Sequence, residues 1–248
     1  MDNKVFCCVG CSPALEYAKA NLIQADFHFV DTPCVDVSHL LLPVPSFDSH
    51  GLVKGGENLN DILSKLHPNA TIIGGNLGDL KGLDLLKDTF YVTHNARLTA
   101  ECVIRFAAQR MDLAWKGSNV LVMGWGRIGK FLSKILIALG AAVTIAARKE
   151  ADRALASALG ARAVSLESMN PLLSHQDVIF NTIPTPVLTD HQANMCCSDC
   201  LLIELASKPG ILSDRAIPAL GLPGKMVPKS SGRLIADTVI RLTSLKEE

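Results

Sequence analysis

The stretch 119–148, NVLVMGWGRIGKFLSKILIALGAAVTIAAR, limits what this chain can fold into more than any other. An apolar β-type run, 120–123, leads into a turn with Gly124, Gly126 and Gly129 at G-x-G-x-x-G spacing. Ile128, Leu132, Ile135 and Leu139 then recur at helical period, and Gly140 stands where a C-terminal cap is expected. A second β-type run, 142–147, follows. Strand, glycine turn, helix and strand in this order form the unit that grips a dinucleotide. The first glycine permits the sharp turn, the second lets backbone approach a pyrophosphate, and the third lets helix and strand pack closely. Gly124, Trp125, Gly126, Arg127, Ile128 and Gly129 are therefore the candidate cofactor cradle. The helix start would offer unpaired N–H groups and a positive dipole end to the phosphates.

A unit of this kind that takes NAD usually ends its second strand on Asp or Glu, which holds the ribose 2′-hydroxyl. Here the strand ends in Ala146, Ala147, Arg148 and Lys149. No acid at that point repels a 2′-phosphate, and two cations could pair with it. The pattern favours NADP (NADPH when reduced), selected by Arg148 and Lys149.

At 48% hydrophobic and 19% charged residues, the chain suits a well-buried α/β protein and not a disordered one. Its formal net charge is zero and no basic block stands out, so nucleic acid is not an expected partner. The opening MDNKVFCCVG lacks the basic and apolar regions of a signal peptide. The most membrane-like window, 131–147, contains Lys134 and reads as helix plus strand, so no membrane span is expected. The eight cysteines include two C-C-x-x-C clusters, Cys7, Cys8, Cys11 and Cys196, Cys197, Cys200. Cys7 and Cys8 lie in a β-type run, where neighbours face opposite ways, and Cys200 leads into another. Buried thiols in a reducing cytoplasm, and no metal, are the expectation.

In chain order, β-type runs occur at 5–10, 26–30, 39–44, 70–74 and 89–93. Helices are expected from Ser12-Pro13 to about residue 23, over 57–66 and over 95–111, and the polar stretch 47–56 is expected to be mobile. This alternation predicts a flavodoxin-like α/β domain over 1–112 without its own glycine fingerprint. A Rossmann domain over 113–248 follows, with strands at 163–166, 177–182 and 201–206. Both sheets would be open and mostly parallel, with a ligand cleft between the two domains. Asn181, Thr182, Ile183 and Pro184 leave one strand at the edge where a nicotinamide ribose is expected, and Ser207 and Lys208 leave the next. Leu234, Ile235, Val239 and Leu242 make a last amphipathic helix, N-capped by Ser230 or Ser231, that would pack back on the first domain.

The runs NTIPTPVL (181–188), LIELASKPG (202–210) and LGLPGKMVPKSSGRLIADTV (220–239) closely resemble the A subunit of dipicolinate synthase. The resemblance covers about 114–245 well and the first half only loosely. It implies an NADP-linked oxidoreductase subunit working with a flavoprotein-like B subunit. Together they would convert the cyclic product of dihydrodipicolinate synthase chemistry to pyridine-2,6-dicarboxylate, in the cytoplasm of the mother cell of a sporulating bacterium. The turn Gly10-Cys11-Ser12 and Ile211 depart from the family pattern at the outer wall of the substrate pocket, away from the cofactor site. The resemblance supplies the substrate; the residues alone supply only the cofactor.

Oxidising such a dicarboxylate needs cations for its carboxylates and a proton acceptor. Ser207, Lys208 and His94 are the candidates at the reacting centre, and Lys225, Lys229 and Ser231 for substrate binding. No Lys–Asp or His–Glu pair is singled out by spacing. An NADP-dependent dehydrogenase of another small hydroxy acid, or a non-catalytic NADP-sensing module, are the other readings. A homo-oligomer is compatible with either.

Overall fold

The computed structural model describes residues 4–244, so Leu245 and the outermost residues of both expected domains lie outside the described residues. The chain divides into two units, Met1–Asn95 with Pro223–Glu248, and Ala96–Leu222. The first division falls inside a helix, upstream of the boundary expected near Asp112, because the helix does not stop where the two units meet in sequence.

The first unit contains β1 (Val5–Cys8), α1 (Pro13–Gln24), β2 (His28–Val30), β3 (His39–Leu41), α2 (Leu59–Leu63), β4 (Thr71–Gly74) and β5 (Gly82–Asp84). It also holds the start of α3 (Thr89–Ala108). The strands are all parallel in the order β2-β1-β3-β4-β5, the flavodoxin-like arrangement. Parallel strands are covered on both faces, and Phe6, Cys7, Leu40, Leu41, Ile72 and Ile73 are accordingly buried. Ser12 starts α1, its Oγ accepting the Leu15 N–H at 3.1 Å ahead of Pro13 at the first helical position.

Two expectations for this unit fail. Residues 89–93 are the first turn of α3 and not a strand. Asp88 Oδ1 accepts the Tyr91 N–H at 2.8 Å, and this cap outweighs the β preference of Phe90, Tyr91 and Val92. The outermost strand is instead Gly82–Asp84. The stretch 47–56 is tied down: Val53 bridges to Phe47 and to Glu57 and is fully buried. Asp48 Oδ1 accepts the N–H groups of His50 and Leu52 at 2.8 and 3.0 Å.

The second unit contains β6 (Asn119–Met123), α4 (Arg127–Ala138), β7 (Ala142–Ala146), α5 (Glu150–Ala158), β8 (Arg162–Val164), β9 (Val178–Asn181), α6 (Asp190–Ala193), β10 (Leu201–Glu204) and β11 (Ala216–Pro218). Its six parallel strands run β11-β10-β9-β6-β7-β8, the doubly wound dinucleotide-binding order with its switch between β9 and β6. The edge strand β11 was not legible in the sequence.

After α7 (Leu222–Met226) the chain rejoins the first unit as α8 (Pro228–Ser244). Because α8 starts at Pro228, Ser231 lies in its first turn and is buried; it is not the N-cap expected of it. Gly232 lets α8 sit directly on α1: an added Cβ would come within 2.6 Å of the Ala14 carbonyl oxygen. Arg241 Nη2 pairs with Asp88 Oδ1 at 2.6 Å, tying α8 to the start of α3. Among the described residues no helix is long and apolar enough to cross a membrane.

Candidate functional site

The glycine turn at the carboxyl end of β6 is built by exclusion. Gly124 has φ +104°, and a Cβ there would strike Thr182 Oγ1 and come within 2.9 Å of Ile183 Cγ1. A Cβ on Gly129 would strike the Gly124 carbonyl oxygen, so α4 can close on the turn only with glycine there. Gly126 is the opposite case. It is the N-cap of α4, and nothing lies within 4 Å of an added Cβ. No side chain caps α4, whose first ladder bond is Lys130 N–H to Gly126 O at 3.0 Å. The N–H groups of 127–129 are therefore left for a ligand, and the open space before Gly126 fits a pyrophosphate. Arg127 is exposed beside it, Ile128 is half-buried, and Trp125 is buried with its Nε1 lacking a partner among the described residues.

At the exit of β7, Arg148 and Lys149 are exposed. Arg153, which sequence inspection missed, shapes this loop by donating to the carbonyls of Ala147 and Arg148 at 3.0 and 2.6 Å. The loop is not free of acid either. The Glu167 carboxyl is held below its ordinary range by its own backbone N–H and the Ser165 hydroxyl, and then by Arg153 and Arg148. No sequence signal near 146–149 announces it, because it arrives from the segment after β8.

The exits of β9 and β10 are joined by a buried carboxylate. Glu204, the last residue of β10, is 6% exposed. Its oxygens accept from Asn181 Nδ2 at 2.8 and 3.0 Å and from the N–H groups of Ala206, Gly210 and Ile211 at 2.8–2.9 Å. Asn181 is fully buried; its Nδ2 also donates to the Ile183 carbonyl, and its Oδ1 accepts the Ile183 N–H. The Asn181 side chain thus faces inward and is spent on the loop, so it is not the ligand contact its strand-exit position suggested. Thr182 Oγ1 donates to the Met123 carbonyl at 2.9 Å and braces the glycine turn. A Cβ on Gly210 would strike Asn181 Nδ2, which is why the Pro-Gly of this loop is needed. Held by Glu204, the loop presents Ser207 and Lys208 to solvent, and Pro184 is exposed beside a half-buried Ile183. Glu204 was missed; the available signal was an acid closing an apolar strand just before Ser-Lys-Pro-Gly.

The remaining candidates belong to the first unit. His94 is on α3, exposed, with its ring centroid 4.3 Å from that of Phe90. It is not in a strand-exit loop, because 89–93 is helical. Lys225 is on α7 and Lys229 in the first turn of α8, both exposed. The Ser231 hydroxyl is buried without a partner among the described residues. Lys54, missed because its segment read as mobile, has its carbonyl bonded to the Cys11 N–H at 2.5 Å. Burial, and then the nearby Lys225 charge, lower the proton affinity of the Lys54 ammonium.

The two cysteine clusters fall in different units. Cys196 and Cys200 share a hydrogen bond that pushes the Cys200 thiol up, and Cys197 Sγ donates to the Ser174 carbonyl at 3.1 Å. Among the described residues no group of three or more His, Cys, Asp or Glu is placed to hold a metal.

The family model described as Shikimate / quinate 5-dehydrogenase matches residues 105–211, which include the glycine turn and the exits of β7, β9 and β10. The A subunit of dipicolinate synthase from Bacillus subtilis (strain 168) is 31% identical over 157 residues, 60% of this chain and 53% of that protein. The match therefore spans about half the length of that curated relative. The crystal structure of the dipicolinate synthase A subunit from Bacillus halodurans superposes with a TM-score of 0.84 at 25% identity, over 97% of both chains. The corresponding crystal structure from Bacillus subtilis gives the same TM-score at 22% identity, over 100% of this chain and 99% of that one, and shows the shared fold.

Proposed function

From this homology to the A subunit of dipicolinate synthase and the NAD(P)-binding dehydrogenase-like fold, we propose that the chain is an oxidoreductase subunit that makes dipicolinate with NADP. One observation carries the reading. The open glycine cradle stands in the same sheet as the β9 and β10 exits, and those exits hold two of the three runs that resemble the family. When bound, the dinucleotide supplies a hydride acceptor for a ring carbon of the dihydropyridine-type substrate. Gly124 to Gly129 hold its pyrophosphate on the start of α4, and Arg148 with Lys149 hold the 2′-phosphate. Ile183 and Pro184 line the nicotinamide end, with Thr182 keeping the turn in shape. Ser207 and Lys208 bind and orient the acid. Loss of the hydride to the dinucleotide, and of a proton from the neighbouring ring atom to solvent water, leaves the aromatic pyridine. His94, packed on Phe90, receives no role.

The relatives' name implies that the partner is the B subunit of dipicolinate synthase, and the setting would be the cytoplasm of a sporulating cell. The test combines the purified chain, a B subunit, NADP and the enzymatically generated cyclic precursor, and follows dipicolinate absorbance. Formation that requires this chain and NADP is expected; none with every component present would end the reading. The family match over 105–211 favours one second reading, an NADP-dependent dehydrogenase of a shikimate-like acid. Turnover of shikimate or quinate in place of the precursor would favour it.

A further inference from the structure

The run Cys196, Cys197, Cys200 takes no part in the function proposed above. It lies between α6 and β10, where the chain turns back on itself twice. The Cys196 N–H donates to the Ala193 carbonyl at 3.2 Å, and the Cys200 N–H to the Cys197 carbonyl at 3.1 Å. The second bond closes a β-turn over 197–200 and returns Cys200 to the side of the residues before the turn. One guanidinium holds the result. Arg215, just before β11, donates through Nη1 to the Ala193 and Cys196 carbonyls at 2.6 and 3.4 Å. Through Nη2 it donates to the carbonyls of Cys197, Ser198 and Cys200 at 2.6, 3.3 and 3.3 Å. Cys196 and Cys200 are thus gathered on one cation. Their side chains enter the same buried apolar cluster, with Ala193, Leu202 and Ile211, and the two thiols share a hydrogen bond. Cys197 goes elsewhere: it is exposed, and its Sγ donates to the Ser174 carbonyl at 3.1 Å.

The two thiols are unequal. The hydrogen bond from Cys200 outweighs burial and, with the Arg215 charge, lowers the Cys196 thiol from its ordinary value. The same bond, and then burial, push the Cys200 thiol up. A thiol lowered beside a cation, with a protonated thiol in contact, is the arrangement of an attacking and a resolving cysteine. Cys196 is 6% and Cys200 5% exposed, but Cys200 forms part of the wall of a cavity of about 620 Å³. Ser174, Asp177, Cys197 and Leu201 also line it, in front of the amino ends of β9 and β10. It is wide enough to admit a peroxide, a molecule little larger than water.

We propose that Cys196 and Cys200 are a reversible thiol-oxidation site, which hydrogen peroxide closes to an intramolecular disulfide. Cys196 sulfur attacks one peroxide oxygen, the O–O bond breaks, and the departing hydroxide takes the thiol proton and leaves as water. Cys196 is then a sulfenic acid. Cys200 sulfur attacks Cys196 sulfur, the S–O bond breaks, and the hydroxyl leaves as water with the Cys200 proton. Two thiols and one peroxide give one disulfide and two waters; the sulfurs lose two electrons and the peroxide gains them. A dithiol reverses the step by exchange. The site lies at the opposite ends of β9 and β10 from their exits, and it stands whether or not the chain makes dipicolinate.

The test treats the native full chain with hydrogen peroxide, alkylates the remaining thiols after unfolding, and cleaves before Asp199, which separates Cys196 from Cys200. The two fragments should stay joined until dithiothreitol is added. The link should persist in Cys197→Ser and vanish in Cys196→Ser, and Cys200→Ser should leave a sulfenic acid on Cys196 that dimedone captures. Cys102, a buried thiol of α3 that burial raises, is the internal control and should be oxidised at least about tenfold more slowly. The wild-type link decides by itself should a serine variant fail to fold. Fragments that separate without dithiothreitol would overturn the site. So would a link lost in Cys197→Ser but kept in Cys196→Ser, or one formed no faster than Cys102 is oxidised.

Discussion

In the proposed function, Arg148 is the side chain that would choose between the two dinucleotides. It is exposed at the end of β7, and Arg153 holds its backbone in place. A charge-assisted pair is worth about 1.5–3 kcal/mol, so Arg148→Ala should weaken NADPH binding roughly ten- to a hundredfold in a fluorescence titration and leave NADH nearly unchanged. Equal losses for both would show that Arg148 does not read the 2′-phosphate. Glu204 works at the same scale but inward. In Glu204→Gln one acceptor becomes a donor facing the donors of Asn181, Gly210 or Ile211. Leaving one or two buried N–H groups without an acceptor costs about 2–4 kcal/mol, visible as a lower unfolding midpoint in urea. An unchanged midpoint would mean that the carboxylate does not hold the loop. The residue identities of this network were plain in the sequence, but their pairing was not. Asn181 read as an exposed strand exit because nothing near it in the chain shows that Glu204 sits beside it.

Among the elements, the turn before α4 separates two kinds of glycine. Gly126 has φ −76° and open space around it, so Gly126→Ala should leave stability within about 0.5 kcal/mol of wild type. Its methyl group would stand where the pyrophosphate approaches, and dinucleotide affinity should fall at least about tenfold. If Gly126→Ala binds NADPH like wild type, the cradle is misassigned. Gly129→Ala must instead push α4 from the Gly124 carbonyl, which costs about 1–3 kcal/mol of stability as overpacking. A different element link is pH-dependent. Burial alone would raise the Asp88 carboxyl, but the Tyr91 N–H and Arg241 outweigh it and hold it below its ordinary range. A lowered acid stabilises the fold above its unfolded pKa of about 3.9 and loses that contribution as pH falls through the lower native value. Arg241→Met should therefore destabilise by about 1–2 kcal/mol at neutral pH, with the gap to wild type closing below about pH 4 in urea titrations. A gap that does not change with pH would assign the loss to packing against Phe90.

For the molecule as a whole, the proposal of a dipicolinate synthase predicts a partner. Co-expressed with a B subunit, the chain should be retained with it on an affinity column and form dipicolinate faster than alone; if it is not retained and activity does not rise, the heteromeric reading is dropped. The fold class followed from local spacing. The glycine turn, the helical stripe from Ile128 to Leu139 and the alternation of short apolar runs with helices are each encoded within one element, so they can be read without coordinates. The same locality misled at Phe90 to Thr93, where β-favouring residues belong to a helix capped by Asp88. Strand order, the carboxylate network of Glu204, the approach of Glu167 to Arg148 and the anchoring of the Lys54 backbone on Cys11 and Ser46 came from folding alone. Each joins residues far apart in the chain, and burial, hydrogen-bond partners and local charge are properties of that meeting and not of either residue by itself.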